Sequence, residues 1–120
     1  MQGVTHRKYL FICSQNRLRS PTAEHIFAQV PGIETRSAGT NRDADEPPSD
    51  ELVEWADIVF VMERTHRNKL QARHRAALKD THVVVLGIPD DYEYMDPALV
   101  DLLEARMARW LPLDREDPRA

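Results

Sequence analysis

Apolar residues along this chain fall into short continuous runs separated by stripes at helical spacing. Tyr9-Leu10-Phe11-Ile12 is aromatic and β-branched without alternation, the pattern of a strand covered on both faces. It runs into Cys13 and a polar loop. Ser20-Pro21 then reads as a helix start, with serine as N-cap and proline at the first helical position. Ala23, Ile26, Phe27 and Val30 supply the apolar face of that helix, and Pro31-Gly32 stops it. Residues 33–38 form a short strand closed by Gly39. Residues 40–48 are polar, acidic and proline-bearing, the composition of an exposed loop. Ser49 caps a short helix that reaches Trp55 and packs through Leu52, Val53 and Trp55. The unbroken run 57–62 reads as a central strand. Thr65 caps a helix to about Leu78, residues 83–86 form a further strand, and 87–95 is a loop. Asp96-Pro97 opens the last helix, with Leu99, Leu102, Leu103, Met107 and Trp110 at helical spacing.

Strand and helix therefore alternate four times. Such alternation predicts an α/β fold: a single-domain, doubly wound sheet of four parallel strands with helices on both faces. The domain spans 9–111, between an N-terminal tail at 1–8 and a loose C-terminal tail at 112–120. Open sheets of this class build their sites beyond the carboxyl ends of the strands. The loops after Ile12, Met62 and Ile88 are thus the ones to watch.

Composition narrows the classes of function. The 120 residues suit one domain, and a net charge of −4 does not suggest a nucleic-acid binder. The single cysteine excludes an intrachain disulfide and a cysteine-based zinc cluster, and a lone thiol fits a reducing, cytoplasmic compartment. No apolar run is long enough to span a membrane, so no membrane partner is expected.

Chemistry concentrates in the first loop, Cys13-Ser14-Gln15-Asn16-Arg17-Leu18-Arg19-Ser20, which joins a strand to a helix N-terminus. Amides at a helix start lack partners and converge on a common centre, where the helix dipole favours an anion. The same field lowers the pKa of a thiol, which makes Cys13 a candidate nucleophile. Arg19 offers a planar fork for two phosphate oxygens. Ser20 places a hydroxyl where it can hydrogen-bond the sulfur as it leaves. The plainer alternative is a buried core cysteine at a strand end.

The loop, with Arg19-Ser20-Pro21-Thr22-Ala23-Glu24, resembles the low-molecular-weight protein tyrosine phosphatases of bacterial type, here as a short variant. Two further stretches carry the resemblance, Ser37-Ala38-Gly39-Thr40 and 56–63, which ends in Met62-Glu63. It implies hydrolysis of phosphate monoesters, protein phosphotyrosine first, through a cysteinyl-phosphate intermediate, by a monomer without cofactor or metal. Its partners would be phosphorylated proteins or small phosphate esters. Residues 14–20 would cradle the phosphate, Cys13 would attack it, and Arg19 would hold it. Asn16 would brace the loop and Ser37 would hydrogen-bond Asn16. An aspartate after the fourth strand would protonate the leaving oxygen. Asp90 fits that position best; Asp91 and Asp96 are alternatives, although Asp96 also suits an N-cap. Tyr92 and Tyr94 would either wall the pocket or anchor the loop.

Departures from the family pattern are Gln15 in place of glycine, with Asn16 able to supply the left-handed conformation, Leu18 in place of a second cysteine, and Arg17 in place of an apolar residue. Arg17 at the pocket mouth would favour acidic neighbours in the substrate. His66 and His74 read as partnerless helix residues, the basic stretch 64–79 as a solvated face, and Asp57 as a cap on backbone near the site. Two other readings stand beside the phosphatase: an arsenate reductase that uses an external thiol, and a catalytically weak phosphoprotein-binding module.

Overall fold

The computed structural model describes residues 7–41, 44 and 47–112. The expected tail residues 1–6 and 113–120, and four positions of the expected loop 40–48, lie outside the described residues. The elements are β1 (Arg7–Cys13), α1 (Arg19–Phe27), β2 (Ile33–Gly39), α2 (Asp50–Trp55), β3 (Ile58–Val61), α3 (Arg64–Arg73), β4 (His82–Val85) and α4 (Pro97–Met107). A 3-10 turn over Ala108–Trp110 follows.

The four strands are parallel in the order β2-β1-β3-β4, so the chain leaves β1 in one direction and later returns to its other side. That reversal lies between β1 and β3, where a crevice opens at the carboxyl ends of the strands. Both faces of the sheet are covered. Tyr9, Phe11, Phe60 and Met62 pack with Ala23 and Phe27 of α1 and Leu99, Leu103 and Met107 of α4. The alternate residues Leu10, Ile12, Val59 and Val61 pack with Leu52 and Val53 of α2 and Leu70 of α3. A strand presents successive side chains to opposite faces, so one unbroken apolar run serves both layers. Phe60 is the hub of the first layer, edge-on to Tyr9 at 4.9 Å and stacked near Phe11 at 5.4 Å.

Several boundaries differ from expectation, each for a local reason. Arg7 and Lys8 are strand residues rather than tail, because the strand backbone pairs with β2 from Ile33 onward. α1 begins at Arg19 with Leu18 at the N-cap, and no side chain caps it. Ser20 is inside the helix, its hydroxyl committed to the loop instead of to the helix amides. Val30 lies beyond the end of α1, though it still packs on the core. Glu63, not Thr65, caps α3, and that helix stops at Arg73 rather than near Leu78. Thr40, expected in an exposed loop, is buried. Trp110 falls in the 3-10 turn. Ser49 and Asp96 do cap their helices, accepting from the amides of Leu52 and Ala98 at 3.1 and 2.9 Å.

No helix among the described residues is long and apolar enough to cross a membrane. Because Phe60 is fully buried against three aromatic neighbours, Tyr9, Phe11 and Trp110, Phe60→Ala should cost about 3–5 kcal/mol of stability, measured by urea denaturation.

Candidate active site

The site is built where the four strands end. β1 delivers Cys13, and residues 14–18 wrap into the start of α1. Thr40 and Asn41, just past β2, support that wrap through amide bonds to the carbonyls of Cys13 and Ser14 at 2.9 and 2.8 Å. β2 supplies the floor: a Cβ on Gly39 would come within 2.6–2.7 Å of Ser14 O, Asn16 N and Gln15 C, so only glycine lets the loop rest there. Asn16 takes a left-handed conformation (φ 58°), as its short polar side chain allows.

Cys13 is buried, and its Sγ accepts from Asn16 N–H at 3.3 Å. Ser20 Oγ lies 3.0 Å from the sulfur, 3.0 Å from Asn16 Oδ1 and 3.4 Å from Ala38 O. One hydroxyl hydrogen must choose among these acceptors. With a thiol, S–H donates to Ser20, which donates to Asn16. With a thiolate, Ser20 turns its hydrogen to the sulfur. Asn16 therefore braces the loop through Ser20. The expected Ser37–Asn16 bond is absent: Ser37 Oγ donates to Glu24 Oε1 at 2.5 Å, because the carboxylate on α1 is the stronger acceptor within reach.

Arg19 is 2% exposed. Its Nη1 is paired with the Glu63 carboxylate and donates to Ile88 O at 2.8 Å. Its Nε faces Asp90 Oδ1 at 3.7 Å. A cavity of about 400 Å³ opens over this group, lined by Ser14, Gln15, Arg17, Leu18, Arg19, Asn41 and Asp90. Arg17 sits on its exposed rim, donating to Gln15 Oε1 at 2.8 Å.

Of the three candidate acids, only Asp90 lines the cavity. Asp96 is occupied as the N-cap of α4, and Asp91 is exposed outside the lining. Asp90 reaches the cavity because the ladder continues past β4, with Leu86 and Ile88 amides bonded to Val61 and Met62 carbonyls, both at 2.8 Å. Tyr92 and Tyr94 do not wall the cavity. Tyr92 packs on the core below α4, and Tyr94 is exposed beside Pro21, His25 and Thr35. Asp57 caps the amide of Lys8 at 2.9 Å, near the opposite end of β1.

Two residues of the site were not recognised as such in the sequence. Glu63 is both the N-cap of α3 and the counterion of Arg19. His66, read as partnerless, is 2% exposed; its Nδ1 accepts from Glu63 N–H at 3.0 Å and its Nε2 lies 2.9 Å from Ser14 Oγ. Acceptance at Nδ1 fixes the neutral tautomer, so Nε2–H donates to Ser14. The Glu-x-x-His spacing of a reciprocal cap was the available signal. His74 also has a partner, Asp50, at 2.7 Å. From the basic stretch, Arg73 donates to Thr40 O at 2.6 Å.

Solved structures share this architecture. The arginine phosphatase YwlE from Geobacillus stearothermophilus is 22% identical with a TM-score of 0.68, covering 87% of this chain and 90% of that one. Wzb from Vibrio vulnificus, in complex with benzylphosphonate, is 23% identical with a TM-score of 0.70, covering 88% and 97%. The tyrosine phosphatase Wzb from Escherichia coli K30, in complex with phosphate, is 22% identical with a TM-score of 0.69, covering 88% and 96%. At these identities the likeness establishes the fold, that of the bacterial low-molecular-weight phosphatases. No family model matches the sequence, and no curated protein does.

Burial, with the Arg19 charge beside it, pushes the pKa of His66 down to about 4 from 6.5. The unfolded chain then binds a proton that the folded one refuses between those values. Stability should fall as pH drops from 6.5 towards 4, by at most about 1.4 kcal/mol per pH unit from this group. Denaturation of wild type and His66→Gln across that range checks it: the mutant should lack this share of the slope.

Proposed function

We propose that this protein is a phosphatase that hydrolyses phosphate monoesters, protein phosphotyrosine first, through a cysteinyl-phosphate intermediate. One observation carries the reading: the buried Cys13 sulfur is held within the loop 13–20, and that loop lines one cavity together with Asp90, which faces Arg19 at 3.7 Å. The comparisons support it. The named neighbours are tyrosine and arginine phosphatases, one solved as a cysteine-to-serine mutant with a phosphorylated active site serine.

In this mechanism the Cys13 thiolate attacks phosphorus in line, forming the S–P bond as the P–O bond to the leaving group breaks. Loop amides and Arg19 hold the equatorial oxygens. Because Nη1 of Arg19 is held by Glu63 and Ile88, its Nε edge is the one offered to phosphate. Asp90, released from Arg19 as phosphate arrives, takes up a proton from solvent and gives it to the leaving oxygen. As a carboxylate it then takes a proton from water, whose oxygen attacks phosphorus and expels the sulfur. Ser20 donates to that sulfur as it regains negative charge.

Hydrolysis of p-nitrophenyl phosphate, with chelator and reductant present, tests the reading. Wild type should turn over, Cys13→Ser should be inert, and Asp90→Asn should lose about 100-fold or more in kcat. A folded, reduced wild type without activity would refute the proposal. Arg17 on the rim adds a selectivity: phosphopeptides with acidic neighbours should be preferred, and the preference should shrink in Arg17→Ile. Equal kcat/KM ratios in the two proteins would remove that role.

A further inference from the structure

The segment that carries Asp90 is held at its root by a residue far away in sequence. We propose that Arg106, on α4, is a positioning residue that sets Asp90 over the cavity; the inference rests on the phosphatase reading. Arg106 Nη1 donates to Leu86 O at 2.5 Å and to Gly87 O at 3.1 Å. Both carbonyls lie just past β4, where the chain leaves the sheet. Charged donors make the stronger hydrogen bonds, and two carbonyls on one guanidinium nitrogen fix the direction of the exit.

Gly87 shows how close the approach is. It adopts φ 71°, and a Cβ there would meet the Arg106 guanidinium at 2.9 Å. The turn and the clamp thus need the same glycine. One residue later, Ile88 O accepts from Arg19, and at the far end Met95 N–H donates to Thr22 Oγ1 at 3.0 Å. Asp90 lies two residues beyond the Arg19 contact. The loop is therefore pinned at 86–88 and at 95, and Arg106 holds the first of these points from outside the cavity. Arg106 does not line the cavity, so it touches no reacting atom.

Arg106 also lies in the last turn of α4, where a cation suits the helix dipole. A role confined to helix stability would weaken the protein without regard to the substrate. A role in placing the acid depends on the leaving group, because a basic leaving oxygen needs its proton and p-nitrophenolate needs it less. The test is the ratio of kcat on phenyl phosphate to kcat on p-nitrophenyl phosphate. Arg106→Gln should lower that ratio by about 5- to 10-fold, and Arg106→Lys by less, since it keeps one charged donor. In an Asp90→Asn background Arg106→Gln should have no further effect on the ratio, as residues acting through one group are not additive. An unchanged ratio in Arg106→Gln, or an equal further loss in the Asp90→Asn background, would overturn the proposal.

Amide hydrogen exchange reads the placement without turnover. The amides of Leu86 and Ile88, bonded to the Val61 and Met62 carbonyls, should exchange about 10-fold faster in Arg106→Gln than in wild type, and equal rates would overturn the proposal. A wild type that hydrolyses neither ester sinks the phosphatase reading, while the exchange rates still decide whether Arg106 holds the segment.

Discussion

A guanidinium that is almost fully buried governs this structure. A charge taken out of water is costly unless it is paired and hydrogen-bonded, and breaking such a pair is more costly still. Arg19 meets that demand from two directions, through the Glu63 carboxylate after β3 and the Ile88 carbonyl after β4. Its own backbone begins α1, directly after the loop from β1. Three chain segments distant in sequence are thus tied to one side chain. Its satisfied half is structural, and its remaining edge faces the cavity.

The sheet makes this convergence possible. Parallel strands send their carboxyl ends to one side, and the β2-β1-β3-β4 order opens a crevice between β1 and β3 there. β1 and β3 are matched so that Ile12 pairs with Val61, one step before Cys13 and Met62. Slipping that register by one residue would turn Cys13 to the other layer. The aromatic packing of Tyr9, Phe11 and Phe60 therefore protects the chemistry as well as the fold.

Much of this was legible in the chain. Continuous apolar runs gave the strands, and Ser49 and Asp96-Pro97 gave two helix starts, because those signals are local. Asn16 in its left-handed state and Ser20 beside the sulfur followed from loop chemistry. What failed was long-range competition between polar partners. Ser37 took Glu24 over Asn16 because α1 crosses β2 at that point, a fact of packing and not of sequence. Ser20 looked like an N-cap because Ser-Pro usually is one, yet its hydroxyl is claimed inside the loop. Tyr92 and Tyr94 point elsewhere because the segment after Asp90 turns down onto α1 and α4. His66 was missed because its partner Ser14 lies 52 positions away.

The double use of Glu63 and His66 has a dynamic side. Helix ends are the first parts of a helix to open. Here the first turn of α3 is closed by the same two side chains that hold Arg19 and Ser14. Fraying of that turn would strip the guanidinium of its counterion and the loop of its donor together, with the sheet intact. The cavity and the helix end thus depend on the same two side chains.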